Sequence, residues 1–151
     1  MVWGGISMEE RTDLYRLDNG TLTAIRYREE ILGLIVRPYA GAVGPGFLLV
    51  HNNARPHVMR VCRQFLEDEG IDTIEWPQYV PDLNLMEHLW DIMFRPIRCH
   101  QVAPQSVQEH NDLVQIWEEV PQDTIRRFIR SMPRCCQACI QATEYHFEVL
   151  Q

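Results

Sequence analysis

The stretch that decides the fold is FLLVHNNARPH, residues 47–57, in which an apolar run meets a polar turn. Residues 47–50 follow a loop rich in glycine and proline, a pattern typical of a strand buried on both faces. Residues 56–69 then carry apolar side chains at helical spacing as far as Gly70, whose position suits a left-handed helix cap. The pattern predicts a strand, a polar loop and a helix in succession.

On the N-terminal side, two apolar segments at residues 1–7 and 12–17 predict a β-hairpin that turns around residues 8–11. Residues 23–39 carry apolar side chains on one helical face and predict the first helix, with Pro38 near its end. Strands and helices therefore alternate in this half of the chain, which indicates an α/β domain.

On the C-terminal side, a short strand is expected at residues 71–76, followed by a loop between Pro77 and Pro81. The remaining pattern is helical. Helices are predicted over residues 84–98, 106–118, 121–131 and 134–144. We therefore predict an α/β domain over residues 1–100 and a C-terminal helical extension of the same domain over residues 101–151.

The composition restricts the classes of function. The chain has 151 residues, a formal net charge of −7 and 14 basic residues, all of them arginine. Since counterion release from phosphates dominates DNA affinity, this acidic balance argues against strong autonomous DNA binding. No apolar run approaches the roughly 20 residues of a membrane helix, so no membrane partner is expected. The odd number of cysteines, five, predicts reduced thiols rather than disulfides.

Two polar segments lie at the ends of predicted elements, where α/β proteins place their sites. They are HNNARPH, residues 51–57, and WPQYVPDLNLMEHLW, residues 76–90. Together they resemble the signatures of mariner-type DDE transposases of the Tc/mariner superfamily, which read Asp-Asn-Ala-x-x-His and Ser-Pro-Asp-Leu-Asn-Pro-Ile-Glu-His-Leu-Trp. In one large branch of that family 34 residues separate the catalytic Asp and Glu, and here 34 residues separate Asn52 from Glu87.

Further landmarks extend the resemblance over nearly the whole chain. They are residues 2–7 (VWGGIS), Pro38, Trp117, Pro121 and residues 131–136 (SMPRCC). The resemblance implies a ribonuclease H-like mixed sheet flanked by helices, with a C-terminal helical appendix. It also implies that the first, central strand, which bears the first catalytic Asp, precedes the part seen here. Without that strand we expect the sheet to close across the gap, or the chain to self-associate or fold poorly, because open strand edges invite pairing.

The chemistry of the family, as the resemblance implies it, needs two magnesium ions held by carboxylates. Asn52 replaces the family Asp, and Glu87 matches the family Glu as the residual metal ligand. The leading prediction is therefore a catalytically inactive transposase remnant with residual nucleic-acid binding and no cofactor. Mg²⁺ would be the cofactor if the family activity survives. DNA as a partner and a nuclear location follow from the resemblance alone.

Two other functions stay open at this point. One is an active Mg²⁺-dependent DNA nuclease or integrase, supported by Glu87, Asp82 and the fold. The other is a protein-interaction module that assembles through an open sheet edge or the helical tail. DNA cleavage would distinguish the first function, and self-association without DNA retention would distinguish the second.

The same residues also have purely structural interpretations. Asn84 and Glu87 match a capping-box pattern at the start of a helix, and Asn52 suits a turn after a strand. Three further histidines near these segments are expected to make local hydrogen bonds rather than bind metal; they are His51, His57 and His88.

Two clusters in the tail are expected to be structural. Cys135, Cys136 and Cys139 with His146 imitate part of a zinc site, but cysteines in a helix pack more often as small apolar residues. The tail also carries a modest basic face, which we expect to be solvated or salt-bridged. Its members are Arg126, Arg127, Arg130 and Arg134.

Overall fold

The structure is a computed structural model. It describes residues 1–18, 20–74, 83–98 and 107–148. The predicted loop between Pro77 and Pro81, and Asp82 after it, lie outside the described residues, as does the predicted boundary at residue 100. That boundary stays a prediction.

The chain forms two compact units, which are described separately. The first unit consists of Met1–Gly4 and Thr12–Tyr79, and the second of Gly5–Arg11 and Val80–Gln151. All of the strands within the described residues belong to the first unit, while the second is built from helices and the short segment Gly5–Arg11.

The predicted N-terminal hairpin is confirmed. Strand β1 (Val2–Trp3) pairs antiparallel with β2 (Tyr15–Arg16), so that Val2 lies opposite Arg16. Nearer the turn, an isolated antiparallel bridge joins Ile6 and Arg11.

The first predicted helix exists but extends further than expected. α1 (Ala24–Arg26), a π-helical segment (Tyr27–Val36) and α2 (Arg37–Val43) follow one another without a break. The prediction that this helix ends near Pro38 is wrong. Pro38 lies just after the π-helical segment, inside the continuous helix, and its missing N–H removes one backbone hydrogen bond without ending the helix. The helix ends instead at Gly44, whose φ of 82° suits glycine.

Strand β3 (Leu48–Leu49) pairs in parallel with β4 (Asp72–Thr73). Leu49 is buried, but Leu48 and Val50 are 46% and 49% exposed. The prediction of a strand buried on both faces is therefore wrong, because side chains alternate along a strand and here only one face packs into the core. Among the described residues β1 pairs only with β2 and β3 only with β4, so the expected closure across the gap is not found.

The helix predicted after β3 forms as two pieces, α3 (Arg55–Val58) and α4 (Arg60–Asp68), because Met59 has an extended conformation between them. Gly70 has a φ of 66°, which confirms the predicted left-handed cap. The π-helical segment and α4 pack around β3 to form the core of the first unit. Its buried members are Leu17, Tyr27, Ile31, Leu32, Val36, Leu49, Cys62 and Leu66.

The second unit contains α5 (Leu85–Arg98), α6 (Val107–Glu119) and α7 (Gln122–Glu148). The helices predicted over residues 84–98 and 106–118 are confirmed. The prediction of two separate helices after Pro121 is wrong, because α7 runs through Pro133. Proline removes one backbone hydrogen bond from a helix, and the remaining turns of this long helix continue past it. The buried side chains of this unit are Leu83, Leu89, Met93, Leu113, Trp117, Val120 and Ile125.

The segment Gly5–Arg11 is held against α6 and α7 by side chains that donate to backbone carbonyls. The Arg11 guanidinium donates to the carbonyls of Trp117 at 2.5 Å and Glu118 at 3.1 Å, the last turn of α6. Gln122 donates to the carbonyl of Ser7 at 3.0 Å. Arg126 donates to the carbonyl of Met8 at 2.9 Å and pairs with Asp123. Arg126 is thus salt-bridged, as expected for the basic face.

Candidate functional site

Asn52 lies in the loop that joins β3 to α3. Its side-chain Oδ1 accepts a hydrogen bond from the backbone N–H of Ala54 at 3.1 Å, and α3 begins at the next residue, Arg55. This bond two residues along the chain is the one an asparagine makes when it forms a turn with its own backbone. The interpretation of Asn52 as a turn residue is therefore confirmed by its contacts.

Three aromatic rings stack next to this loop, those of Tyr27, His51 and His57. Tyr27, on the π-helical segment, is fully buried, and its hydroxyl lies 3.0 Å from Nδ1 of His51. The ring centroids of Tyr27 and His57 are 4.0 Å apart, and those of His51 and His57 are 5.3 Å apart with parallel planes. Nδ1 of His57 lies 3.2 Å from the backbone carbonyl oxygen of Asn52. His57 thus makes the local hydrogen bond that was expected, whereas the partner of His51 lies 24 residues away in another element.

Burial keeps these rings uncharged at neutral pH. It raises the pKa of Tyr27, so the hydroxyl keeps its proton and can donate it to Nδ1 of His51. Burial, helped by His57 and Arg63, lowers the pKa of His51 to about 4. Burial also lowers the pKa of His57, against the opposing effect of the bond to the Asn52 carbonyl. The neutral His57 ring then donates from Nδ1 to that carbonyl and leaves its Nε2 as an acceptor.

Sequence reasoning did not connect Tyr27 with the two histidines. Tyr27 lies 24 residues before His51 in a different element, and a tyrosine within a helical apolar pattern is an ordinary core residue. No local signal in the sequence could have indicated that its hydroxyl meets the loop after β3.

Glu87 lies in the first turn of α5, in the second unit. Asn84 caps this helix, because its Oδ1 accepts the backbone N–H of Met86 at 3.2 Å. The side-chain amide of Asn84 in turn donates to Oε1 of Glu87 at 3.4 Å. The predicted capping role is confirmed, with one difference: Glu87 is bonded to the Asn84 side chain rather than to its backbone N–H.

The other candidate residues of the second unit make structural contacts. The ring of His88 stacks on that of Phe128, with centroids 6.2 Å apart. Cys135, Cys136 and Cys139 all lie within α7, are partly buried and take part in no disulfide. Within the part of the chain that the structure describes, no helix is both long and apolar enough to span a membrane.

The described residues do not fit a two-metal centre. Magnesium is held in proteins by oxygen ligands, above all by carboxylates whose charge offsets that of the ion. Asn52 offers only a neutral amide oxygen, which already accepts the N–H of Ala54. Throughout the described ranges, no group of three or more histidine, cysteine, aspartate or glutamate side chains is close enough to hold a metal ion.

The architecture is that of the catalytic domains of transposases with a ribonuclease H-like fold. A crystal structure of the catalytic domain of Mos1 mariner transposase matches with a TM-score of 0.71 at 17% identity and covers 94% of this chain and 78% of that one. The structure of the Mos1 catalytic domain with raltegravir and Mg matches with a TM-score of 0.77 at 19% identity, covering 93% of this chain and 72% of that one. The predicted ribonuclease H-like fold is thereby confirmed.

The chain belongs to the DDE superfamily endonuclease family, whose model matches residues 4–108. It is 33% identical over 143 residues to the Tcb2 transposable element transposase of Caenorhabditis briggsae, covering 94% of this chain and 51% of that protein. It is 32% identical over 146 residues to the Tc1 transposase of Caenorhabditis elegans, covering 96% and 52%. The chain thus spans about half the length of these relatives. The resemblance to mariner-type transposases is confirmed.

Proposed function

We propose that this chain is a transposon-derived DDE catalytic-domain remnant that neither cleaves nor joins DNA and retains nucleic-acid binding. The observation that carries the proposal is the state of Asn52. The resemblance gives this position to a catalytic Asp, yet here a neutral amide fills it and binds the N–H of Ala54 within its own loop. Glu87, which the resemblance gives to the catalytic Glu, takes part in capping α5.

The loss of one carboxylate strongly lowers the rate of a reaction that depends on two metal ions. In a site that held two ions, they would supply activation of the attacking oxygen and stabilisation of the leaving oxygen, which would lower the barrier by several kcal/mol. Each 1.4 kcal/mol changes the rate about tenfold, so a site that binds its ions poorly loses orders of magnitude. The amide of Asn52 cannot supply the missing negative charge, because it stays neutral at every physiological pH.

The proposed partner and location rest on the similarity to the relatives. Those named above are transposases of transposable elements, so we propose DNA as the partner and the nucleus as the location of this chain. Its acidic balance, a net charge of −7, leads us to expect weak binding that falls steeply with added salt.

The test of inactivity is nicking of supercoiled plasmid in Mg²⁺ and in Mn²⁺. We expect the chain and its Glu87→Gln variant to leave the plasmid equally intact. Nicking by the unmodified chain that disappears in Glu87→Gln would overturn the proposal and favour an active nuclease, since only a site that uses this carboxylate responds to its removal. Nicking that persists equally in the variant would come from a contaminant.

One observation favours a second candidate, a protein-interaction module. Strand β3 has a single partner strand among the described residues, and the side chains of Leu48 and Val50 beside that pairing are about half exposed. Such a strand can pair with another chain. Sedimentation over a range of protein concentrations would favour this module if the mass rises without DNA, and would disfavour it if the chain stays monomeric.

A further inference from the structure

The acidic chain contains one long stretch without acidic residues. Between Ile31 and Leu66 the sequence has four arginines and neither Asp nor Glu. All 21 acidic residues lie in the rest of the chain, with the other ten arginines. The stretch includes Asn52 and its loop, so this segment of the sequence carries a net positive charge although the chain as a whole is negative.

We give the name α3–α4 arginine face to three arginines of this stretch: Arg55 on α3, and Arg60 and Arg63 on α4. All three side chains are exposed. Arg60 and Arg63 are three residues apart on one helix, which brings their Cβ atoms within about 5–6 Å of each other. Arg55 follows Asn52 by three residues, at the first position of α3.

The α3–α4 arginine face differs from the other arginines of its unit in what it contacts. Within the described residues, none of its three guanidiniums has a carboxylate partner. Each of the remaining arginines of the unit pairs with a carboxylate. Their pairs are Arg16 with Asp18 at 2.7 Å, Arg26 with Glu30 at 2.6 Å, Arg28 with Glu29 at 2.5 Å and Arg37 with Glu69 at 3.3 Å. The guanidiniums of this face are therefore not held in ion pairs within the described residues.

We infer that the α3–α4 arginine face binds the phosphate backbone of nucleic acid directly, without a divalent metal. Guanidinium groups match phosphate oxygens with paired hydrogen bonds, and contacts to the backbone carry no sequence preference. The inference rests on the proposed nucleic-acid binding and assigns it to this surface.

The neutral side chain of Asn52 contributes to this proposed binding. A carboxylate at position 52 would place a negative charge three residues before Arg55 and, without a metal ion, would repel phosphate. Asn52 leaves the face positive. We therefore expect Asn52→Asp to weaken DNA binding measured in EDTA. In a metal-dependent site, the same change would leave binding in EDTA unaltered or would restore binding in Mg²⁺.

The experiment measures fluorescence anisotropy of a labelled duplex of random sequence in EDTA at several salt concentrations. The test variant replaces the α3–α4 arginine face with alanines. The control variant replaces Arg127, Arg130 and Arg134 of α7 with alanines, which removes the same charge from another exposed surface, one whose neighbouring sequence contains acidic residues. Thermal unfolding of all three proteins checks that the substitutions leave the fold intact.

We expect the test variant to lose most of its affinity while the control variant keeps it. The slope of log affinity against log salt should become shallower by about 0.9 for each phosphate that an arginine no longer neutralises. Equal weakening of both variants, or full affinity in the test variant, would overturn the inference while the proposed nucleic-acid binding stands. Binding that needs Mg²⁺ and vanishes in EDTA would also overturn it. If the unmodified chain binds no duplex at all, the proposed binding itself is wrong and the inference falls with it.

Discussion

Lowering the pH should destabilise the first unit through His51. Burial, with smaller effects of His57 and Arg63, lowers the pKa of His51 in the folded chain to about 4, whereas its ordinary value is 6.5. Between these two values the unfolded chain binds a proton at this position and the folded chain does not. Stability due to His51 is therefore fully present above pH 6.5 and is lost progressively as the pH falls towards 4.

The size of the effect follows from the difference between the two pKa values. Each unit of difference corresponds to about 1.4 kcal/mol, so complete loss would amount to roughly 3 kcal/mol. His51 is only partly buried, and solvent screening reduces the expected loss to about 2 kcal/mol. His57, whose pKa is lowered in the same direction, adds to the loss.

The assay is urea unfolding followed by tryptophan fluorescence at a series of pH values across this window. The variant His51→Gln cannot titrate, and its side-chain amide oxygen can still accept the hydroxyl of Tyr27. We expect its free energy of unfolding to fall less with acidification than that of the unmodified chain. His88→Gln, in the second unit, is the matched control and should follow the unmodified chain. A pH dependence that is the same in His51→Gln and in the unmodified chain would refute the reasoning.

Three further substitutions test the local structure by the same urea unfolding. Asn84→Ala removes the cap of α5 and should destabilise the chain by about 1 kcal/mol; no loss would mean that the cap is replaceable. Gly70→Ala forces alanine to a φ of 66° and should cost about 1–2 kcal/mol, although space for the methyl group is available. Trp117→Ala empties a site that is 2% exposed and should cost about 3–5 kcal/mol; a smaller loss would show that its surroundings collapse to fill the space.

Much of the fold could be predicted because its signals are local. The hairpin, the helix cap at Gly70 and the start of α5 at Asn84 each depend on residues within a few positions of one another. The predictions at two prolines were wrong because the effect of a proline depends on the whole helix around it and not only on its nearest neighbours. A helix was expected to end near Pro38, and a break between two helices was expected around Pro133. Both prolines lie within continuous helices instead, since the one backbone hydrogen bond that each removes is outweighed by the remaining turns.

In the candidate site, too, the features that depend on neighbouring residues could be predicted and those that depend on packing could not. The turn made by Asn52 and the cap made with Glu87 follow from short patterns, and the contacts confirm both. That Asn52 and Glu87 hold the positions of catalytic residues stays a prediction from their spacing. The stack of Tyr27 on His57 depends on how the π-helical segment packs against the loop after β3, which no pattern of neighbouring residues encodes.

The central claim is that Asn52 leaves this DDE domain without a working metal site. The most direct test is titration of Mn²⁺ with the chain, in which the electron paramagnetic resonance signal reports free Mn²⁺. We predict that the unmodified chain leaves this signal unchanged up to millimolar protein, as does its Glu87→Gln variant. Saturable, stoichiometric binding of Mn²⁺ by the unmodified chain that is lost in Glu87→Gln would contradict the claim.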